Sequence, residues 1–261
     1  MKLTLFQIDA FTDQLFSGNP AAICPLEEWL EEDKMQKIAA ENYLAETAFF
    51  IKNGERYDIR WFTPTLEVDL CGHATLAAAF VLFDQLGVLS DEIVFYSHRS
   101  GELRVARDGN LVTLNFPVDQ IQEIDFDWTT FKGLDFPSKE VLKGKTDYLF
   151  VYENEHQIEN MKPDFFEIAK LKARGIIITA PGNDVDFVSR FFAPQSGIDE
   201  DPVTGSAHTT LIPYWSKKLN KNPLTAKQLS PRGGKLIGEQ LGDRVKISGE
   251  CVLYLIGEIY V

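Results

Sequence analysis

Residues 197–210 read Gly-Ile-Asp-Glu-Asp-Pro-Val-Thr-Gly-Ser-Ala-His-Thr-Thr, and they lead from a run of carboxylates into the start of a helix. The small and apolar residues after Gly205-Ser206 are typical of a packed helix. Its first turn presents backbone N–H groups without intrahelical partners, and the helix dipole adds about half a positive charge there. An anion is the natural ligand of such a site, and Asp201 just upstream could hold or orient a base. An ordinary capped helix start fits the same residues equally well.

A second copy of this arrangement lies earlier in the chain. In both copies an Arg-aromatic-Phe-x-Pro run precedes a Gly-led helix start, and the later copy has three additional residues between them. An aspartate, Asp69 or Asp199, lies equally far past the proline in each copy. The matched segments are Arg60-Trp61-Phe62-Thr63-Pro64 with Arg190-Phe191-Phe192-Ala193-Pro194, and Gly72-His73-Ala74 with Gly205-Ser206-Ala207.

Self-similarity at a long period predicts two related halves. We expect an N-terminal half over residues 1–116 and a C-terminal half over residues 117–261. Each half offers the N-terminus of an apolar helix. If the halves face each other, both helix starts meet in one cleft, which would be the active site for a small carboxylate.

Composition and charge narrow the class of protein. The 261 residues are 44% apolar and 25% charged, as in a soluble globular protein, and the net charge is −13. Nucleic acid and anionic membrane surfaces are therefore unlikely partners. The three cysteines are far apart and show no zinc-ligand spacing, so neither a disulfide framework nor a metal is expected. Without a signal peptide or a membrane-length apolar run, the chain is expected to be cytoplasmic.

The pattern of apolar residues predicts a mixture of strands and a few helices. Helices are expected over residues 26–41, 74–86 and 163–172 and from Ser206 onwards, the last of them kinked or shortened by Pro213. A strand meander is expected at the C-terminal end.

Two side chains of the first half are candidates for proton transfer. Glu46 lies at a predicted helix-to-strand junction among apolar residues, where the pKa of a carboxyl group would rise towards neutrality. His73 lies at a helix N-terminus, where the dipole disfavours its protonated form. Taken alone, a solvent-facing glutamate and a packing histidine remain the simpler interpretations.

Four motifs, in this order and over essentially the whole length, resemble the PhzF-like family, named for phenazine biosynthesis. They are Asp9-Ala10-Phe11-Thr12 with Gly18-Asn19-Pro20-Ala21, Leu44-Ala45-Glu46-Thr47-Ala48-Phe49, Leu70-Cys71-Gly72-His73-Ala74-Thr75, and Asp199-Glu200-Asp201-Pro202-Val203-Thr204-Gly205-Ser206-Ala207-His208.

The resemblance implies an α+β fold similar to diaminopimelate epimerase, with two similar halves, each an antiparallel barrel-like sheet around a central helix. It also implies a homodimer without a cofactor. The characterised member of the family isomerises a cyclic dihydro-hydroxyanthranilate by moving a proton on the ring. The sequence thus predicts an isomerase that shifts a proton on a small, unsaturated, cyclic carboxylic acid.

The family's functional residues carry over to matching positions here. Glu46 would be the general acid/base, with His73 and Asp201 as further catalytic residues. The substrate would be bound by Asn19, Gly72, Gly205 and Ser206.

Three other functions are alternatives to the predicted isomerase. A cofactor-free amino-acid racemase of the same fold needs two thiols, and Cys71 has no cysteine partner in the second half. A small-acid-binding or scaffold protein would have no need of a buried base. A hydrolase using Ser206, His208 and Asp201 is disfavoured because Ser206 and His208 are two apart on a helix and face different ways.

Overall fold

The computed structural model describes residues 1–261 and has the α+β architecture that the sequence predicts. The chain divides into two compact units, one of residues 1–115 and 247–261 and one of residues 116–246. No helix is both long and apolar enough to span a lipid bilayer. A cytoplasmic location stays a prediction.

The first unit is a mixed sheet with helices between its strands. Its elements are β1 (Lys2–Ala10), β2 (Asn19–Leu26), α1 (Glu32–Asn42), β3 (Glu46–Asn53), β4 (Arg56–Phe62), β5 (Glu67–Val68), α2 (Gly72–Phe80) continued by a π-helical turn (Val81–Gln85), β6 (Glu92–Ser97), β7 (Gly101–Asp108), β8 (Leu111–Pro117) and, from the C-terminal end, β18 (Cys251–Tyr260).

The second unit has the same kinds of element in the same order. They are β9 (Gln122–Glu123), β10 (Glu140–Lys143), β11 (Asp147–Val151), α3 (Glu155–Glu159), α4 (Phe165–Ile168), β12 (Gly175–Pro181), β13 (Phe187–Ala193), a 3₁₀ turn (Pro194–Ser196), β14 (Ile198–Glu200), α5 (Gly205–Leu219), β15 (Leu224–Gln228), β16 (Gly234–Leu241) and β17 (Arg244–Gly249).

Strand pairing repeats between the units. In the first, β1/β2 is antiparallel, β2/β3 parallel, β3/β4 antiparallel, β4/β6 parallel and β6/β7 antiparallel. In the second, β10/β11, β11/β12, β12/β13, β13/β15 and β15/β16 follow the same alternation. The parallel pairs arise because helices connect those strands, and parallel neighbours require a crossover. The sequence-predicted duplication is therefore present in the topology.

An arginine–glutamate pair is also repeated and fixes the loop before each central helix. The Arg60 Nε donates to Glu67 at 2.7 Å, and the Arg190 Nε donates to Glu200 at 2.7 Å. Each glutamate lies five residues before the first glycine of the helix. The match of Asp69 with Asp199 was therefore wrong, because the additional residues of the later copy form the 3₁₀ turn that precedes β14.

Helix α2 forms much of the core of the first unit. Residues 73–79 are all buried, and the helix contacts β1, β2, β3 and β7. Such a helix needs no polar face, which explains its apolar sequence. On the other face of the sheet, Met35 and Ile38 of α1 pack with Phe49 and Phe62. Helix α5 runs to Leu219 without being shortened by Pro213.

Two further differences from the predicted elements have clear causes. Helix α1 begins at Glu32 rather than at residue 26, because β2 continues to Leu26, which pairs with Ile51 of β3. Residues 247–261 were predicted to belong to the second half, but they lie in the first unit. There β18 pairs with β1 from Lys2 opposite Tyr260 to Ala10 opposite Cys251.

Candidate active site

The candidate base, Glu46, is the first residue of β3. Helix α1 ends at Asn42, and the next residue, Tyr43, has a φ of 51° that turns the chain and an N–H that donates to the carbonyl of Ala39. Strand β3 then begins beside β2, with Glu46 opposite Ala21. The Glu46 side chain is 13% exposed, so the strand start holds a carboxyl group that is largely withdrawn from solvent.

His73 lies against this carboxyl group. It is the second residue of α2 and is buried, and its Nε2 lies 3.3 Å from Glu46 Oε2. Burial lowers the pKa of His73 to about 3, because the charged imidazolium would lose its hydration. The imidazole is therefore neutral at physiological pH, and the contact with Glu46 is not an ion pair at that pH.

The neighbours of the other ring nitrogen favour one tautomer of His73. The Asn19 amide Nδ2 lies 3.2 Å from His73 Nδ1, and the Cys71 Sγ lies 3.5 Å from it. Both groups can donate, and with the Asn19 amide nitrogen facing the ring the contacts suit a tautomer with Nδ1 as the acceptor and the proton on Nε2. In this tautomer the protonated nitrogen is the one that lies 3.3 Å from Glu46 Oε2. The fully buried Asn19 holds His73, a role that the sequence did not predict.

The same residues include three potential metal ligands. Ligand atoms of Glu46, Cys71 and His73 lie within 4.8 Å of one another. However, Glu46 approaches Nε2 of the ring and Cys71 approaches Nδ1, whereas one metal ion binds one of the two nitrogens. The carboxylate and the thiol therefore face different nitrogens of the ring rather than a common one.

Both central helices begin without a side-chain cap. At α2 the residue before the first turn is Cys71, and at α5 it is Thr204, and neither side chain bonds a first-turn N–H. Gly72 and Gly205 follow them, so no Cβ covers the first N–H groups. Each helix start can therefore accept an anion.

In the second unit, Asp201 is part of a hydrogen-bonded loop. The Thr204 hydroxyl lies 2.6 Å from Asp201 Oδ2 and donates to it, because the same hydroxyl accepts from Gln228 Nε2 at 3.1 Å. Gln228 also donates to the Asp201 carbonyl at 2.7 Å and accepts from the Thr204 N–H at 2.9 Å. Gln228, which the sequence did not single out, thus fixes the loop that carries Asp201.

Ser206 is the second residue of α5 and has an arginine partner. The Arg174 Nη1 donates to Ser206 Oγ at 2.9 Å, and the Arg174 Nε donates to the buried Asp147 at 2.9 Å. Burial lowers the pKa of Arg174, but the hydrogen bonds and charge of Asp147, together with the charges of Asp201 and Asp119, raise it overall. Arg174 remains a cation, and sequence reasoning missed it because its partners lie far away in the chain.

The structure therefore groups the predicted site residues unit by unit. Asn19, Glu46 and His73 are brought together at the start of α2, beside Gly72. Asp201, Gly205 and Ser206 lie at the start of α5. That the two helix starts serve one substrate stays a prediction. His208 is buried in the first turns of α5, where its Nδ1 lies 2.7 Å from the Thr204 carbonyl, consistent with a packing role.

Comparison with known proteins gives first the fold and then the class of protein. A hydroxyproline epimerase from Agrobacterium vitis, 10% identical, superposes with a TM-score of 0.60 over 99% of this chain and 92% of that one. At this identity the likeness shows the fold alone, which is the diaminopimelate-epimerase-like fold. A curated relative in Pseudomonas aeruginosa, 50% identical over 99% of both chains, is named an uncharacterised isomerase. The protein is thus an enzyme of the isomerase class.

The family follows from matches over nearly the whole chain. Residues 8–257 match the family model described as "Phenazine biosynthesis-like protein". A PhzF family protein from Enterococcus faecalis is 45% identical, with a TM-score of 0.97 over 100% of both chains. The chain belongs to this phenazine biosynthesis-like, or PhzF, family, which confirms the resemblance inferred from the motifs.

Proposed function

We propose that this protein is a cofactor-independent isomerase that moves a proton on a small, unsaturated, cyclic carboxylic acid, with Glu46 as general acid/base. The observation that carries the proposal is the largely buried Glu46 carboxyl group 3.3 Å from a neutral, oriented His73 at an uncapped helix start. A proton acceptor and an anion site lie together there.

The geometry suggests how these residues would act. Glu46 removes a proton from a carbon that is conjugated with the acid, and the resulting negative charge spreads onto the substrate's carboxylate. Backbone N–H groups after Gly72 and Gly205 stabilise that charge most when it is largest, near the transition state. Glu46 then returns the proton to another carbon, with the neutral His73 ring packed 3.3 Å from its carboxyl group and Asp201 as a further catalytic residue.

The duplication argues against a two-thiol racemase. Since Gly72 corresponds to Gly205, the counterpart of Cys71 is Thr204, whose hydroxyl is already engaged with Asp201 at 2.6 Å. A pure binding protein is disfavoured because binding alone gives no reason to place a carboxyl group beside an oriented imidazole.

Solvent deuterium uptake tests the role of Glu46. Dihydro-hydroxyanthranilate would be incubated in D₂O with wild type, Glu46→Gln and the control Glu41→Gln, an exposed glutamate of α1. We expect Glu46→Gln to lower the exchange rate by about 10²-fold or more, the usual contribution of a general base, and Glu41→Gln to match wild type. Equal uptake by wild type and Glu46→Gln would remove Glu46 from the mechanism. Unchanged exchange after dialysis against EDTA is expected for a reaction without a metal.

We also propose a homodimer formed through the outer part of β18. Phe16, Tyr254, Ile256 and Tyr260 are 71%, 46%, 55% and 78% exposed. The rings of Phe16 and Tyr254 touch edge-to-face at 5.9 Å, so the patch is continuous there. These side chains offer roughly 450 Å² per protomer, more than half of the ~800 Å² per partner in a standard interface.

A second copy is the proposed occupant of this patch, in line with the homodimer that the family resemblance implies, and burial of the apolar side chains must outweigh the repulsion between two chains of net charge −13. Sedimentation velocity should show a dimer for wild type and for the control Leu89→Glu, which alters a fully exposed leucine elsewhere. Ile256→Glu should shift the protein to monomer. A monomeric wild type, or a dimeric Ile256→Glu, would contradict the assignment.

A further inference from the structure

The side chain of Arg174 links a buried aspartate to the first turn of α5. Its Nε and Nη2 donate to the two oxygens of Asp147, which is 3% exposed, and its Nη1 donates to Ser206 Oγ at 2.9 Å. The guanidinium also lies over the ring of Phe191, 5.2 Å from its centroid. With two nitrogens held by Asp147, the third has a defined position.

This linkage occupies the place in the second unit that Glu46 occupies in the first. Phe49 pairs with Arg60, and Ile178 pairs with Arg190, so counting back three residues matches Glu46 with Gly175. Arg174 directly precedes Gly175.

The duplicated position cannot hold a second glutamate. A Cβ at Gly175 would lie 2.5 Å from the Phe191 ring, so no side chain fits there. The second unit therefore has no counterpart of the base. It has a cation beside Ser206, and Ser206 itself corresponds to His73.

The donor and acceptor roles in this linkage are fixed. A guanidinium has no acceptor, so Ser206 Oγ accepts from Arg174, and the Ser206 hydroxyl proton must point away from Arg174. The side chain of Thr204, the residue before α5, makes no bond to the first turn and leaves the N–H groups there open. The hydroxyl is thus held as a donor next to the uncapped N–H groups.

We propose that Arg174 is a positioning residue that holds the Ser206 hydroxyl as a hydrogen-bond donor to the substrate's carboxylate. This inference rests on the proposed function, in which Ser206 binds the acid. It divides the work between the duplicated units: Asn19, His73 and Glu46 orient and move a proton, whereas Asp147, Arg174 and Ser206 form a linkage that binds an anion.

Binding of anthranilate, a small cyclic acid, and of its neutral amide anthranilamide provides the test. Fluorescence titrations would compare wild type, Ser206→Ala, Arg174→Gln and the double variant. Lys221→Gln is the matched control, because it removes another bond to both oxygens of a carboxylate, that of Asp186, in the same unit without touching Ser206. Arg174→Lys serves if Arg174→Gln does not fold, since one ammonium cannot reproduce the fork to Asp147 and Ser206.

We expect Ser206→Ala and Arg174→Gln each to raise the Kd of anthranilate about tenfold, as for a hydrogen bond to a charged group. The double variant should bind no more than about twofold more weakly than Ser206→Ala, because Arg174 acts through Ser206. Anthranilamide, whose carbonyl accepts a weaker hydrogen bond than a carboxylate does, should lose less affinity than anthranilate in the same variants, and Lys221→Gln should bind both ligands like wild type.

The proposal would be overturned if the two single effects multiplied, so that the double variant bound anthranilate about 100-fold more weakly than wild type. It would also be overturned if Arg174→Gln weakened the binding of the acid and of the amide equally. A wild type with no preference for the acid over the amide would overturn both this inference and the anion site of the proposed function. In contrast, if only the proton-transfer proposal fails, Glu46→Gln should exchange deuterium at the wild-type rate while the Arg174 and Ser206 variants still bind anthranilate as expected here.

Discussion

Burial of two histidines should make the fold sensitive to acid. Burial lowers the pKa of His73 to about 3 and that of His208 to about 4, the latter offset in part by the hydrogen bond to Thr204, from an ordinary value of 6.5. Below pH 6.5 the unfolded chain binds a proton on each ring, whereas the folded chain does not until pH approaches 4 or 3. The free energy of unfolding therefore falls as pH drops below 6.5. The stability that the two neutral histidines contribute is fully present only above that pH.

The size of the effect follows from proton linkage. Each histidine contributes a slope of about 1.4 kcal/mol per pH unit between its folded and unfolded pKa values. Together the two rings would lower the free energy of unfolding by roughly 3 kcal/mol between pH 6.5 and pH 5, on the order of a third of a typical domain's stability.

Urea unfolding, followed by tryptophan fluorescence at half-unit steps from pH 7 to pH 5, measures this slope. His73→Asn and His208→Asn should each reduce it by about 1.4 kcal/mol per pH unit, whatever they do to stability at pH 7. The exposed His98 and His156 supply matched controls, and His98→Asn and His156→Asn should leave the slope unchanged. If His73→Asn and His208→Asn both keep the wild-type slope of unfolding free energy against pH, the reasoning is refuted. The acid sensitivity would then belong to carboxylates.

Three further substitutions test single contacts. Asn19→Ala removes the donor to His73 Nδ1 and should slow deuterium exchange about 10- to 100-fold without unfolding the protein; exchange at the wild-type rate would contradict the tautomer assignment. Gly175→Ala should lower the free energy of unfolding by about 1–3 kcal/mol, because the new Cβ would press on the Phe191 ring. Thermal melts should show that adding Phe191→Leu recovers part of the lost stability. A Gly175→Ala variant as stable as wild type would disprove the clash. Tyr43→Gly should raise the unfolding free energy by about 0.5–1 kcal/mol, because glycine adopts a φ of 51° without strain and the Tyr43 ring, 84% exposed, contributes little packing. A lowered melting temperature would contradict this expectation.

The local part of this fold could be predicted from the sequence. The Gly-led apolar helices after Gly72 and Gly205 were recognisable because small and apolar residues recur at helical spacing, and the two copies of the Arg-aromatic-Phe-x-Pro run marked the duplication. The start of α1 was misplaced because Leu26 fits a helix pattern as well as the strand in which it pairs with Ile51. Apolar spacing alone does not separate the two.

The partners of the candidate site residues depended on long-range packing. Nothing near Asn19 in the sequence indicates that its amide faces His73, and nothing near Ser206 indicates Arg174, because each pair is joined only when strand starts meet a helix start. The roles of Glu46, His73, Asp201 and Ser206 in catalysis stay predictions.

Strand β18 has a consequence for how the chain is made. Its pairing with β1 joins residues 2–10 to residues 251–260, so the ribosome synthesises the entire second unit before the first can close its sheet. Until then one edge of β1 carries unpaired backbone groups, the kind of edge to which foreign strands attach. A nascent chain of this protein therefore has an interval, as long as the translation of more than a hundred codons, in which chaperone protection of that edge matters most.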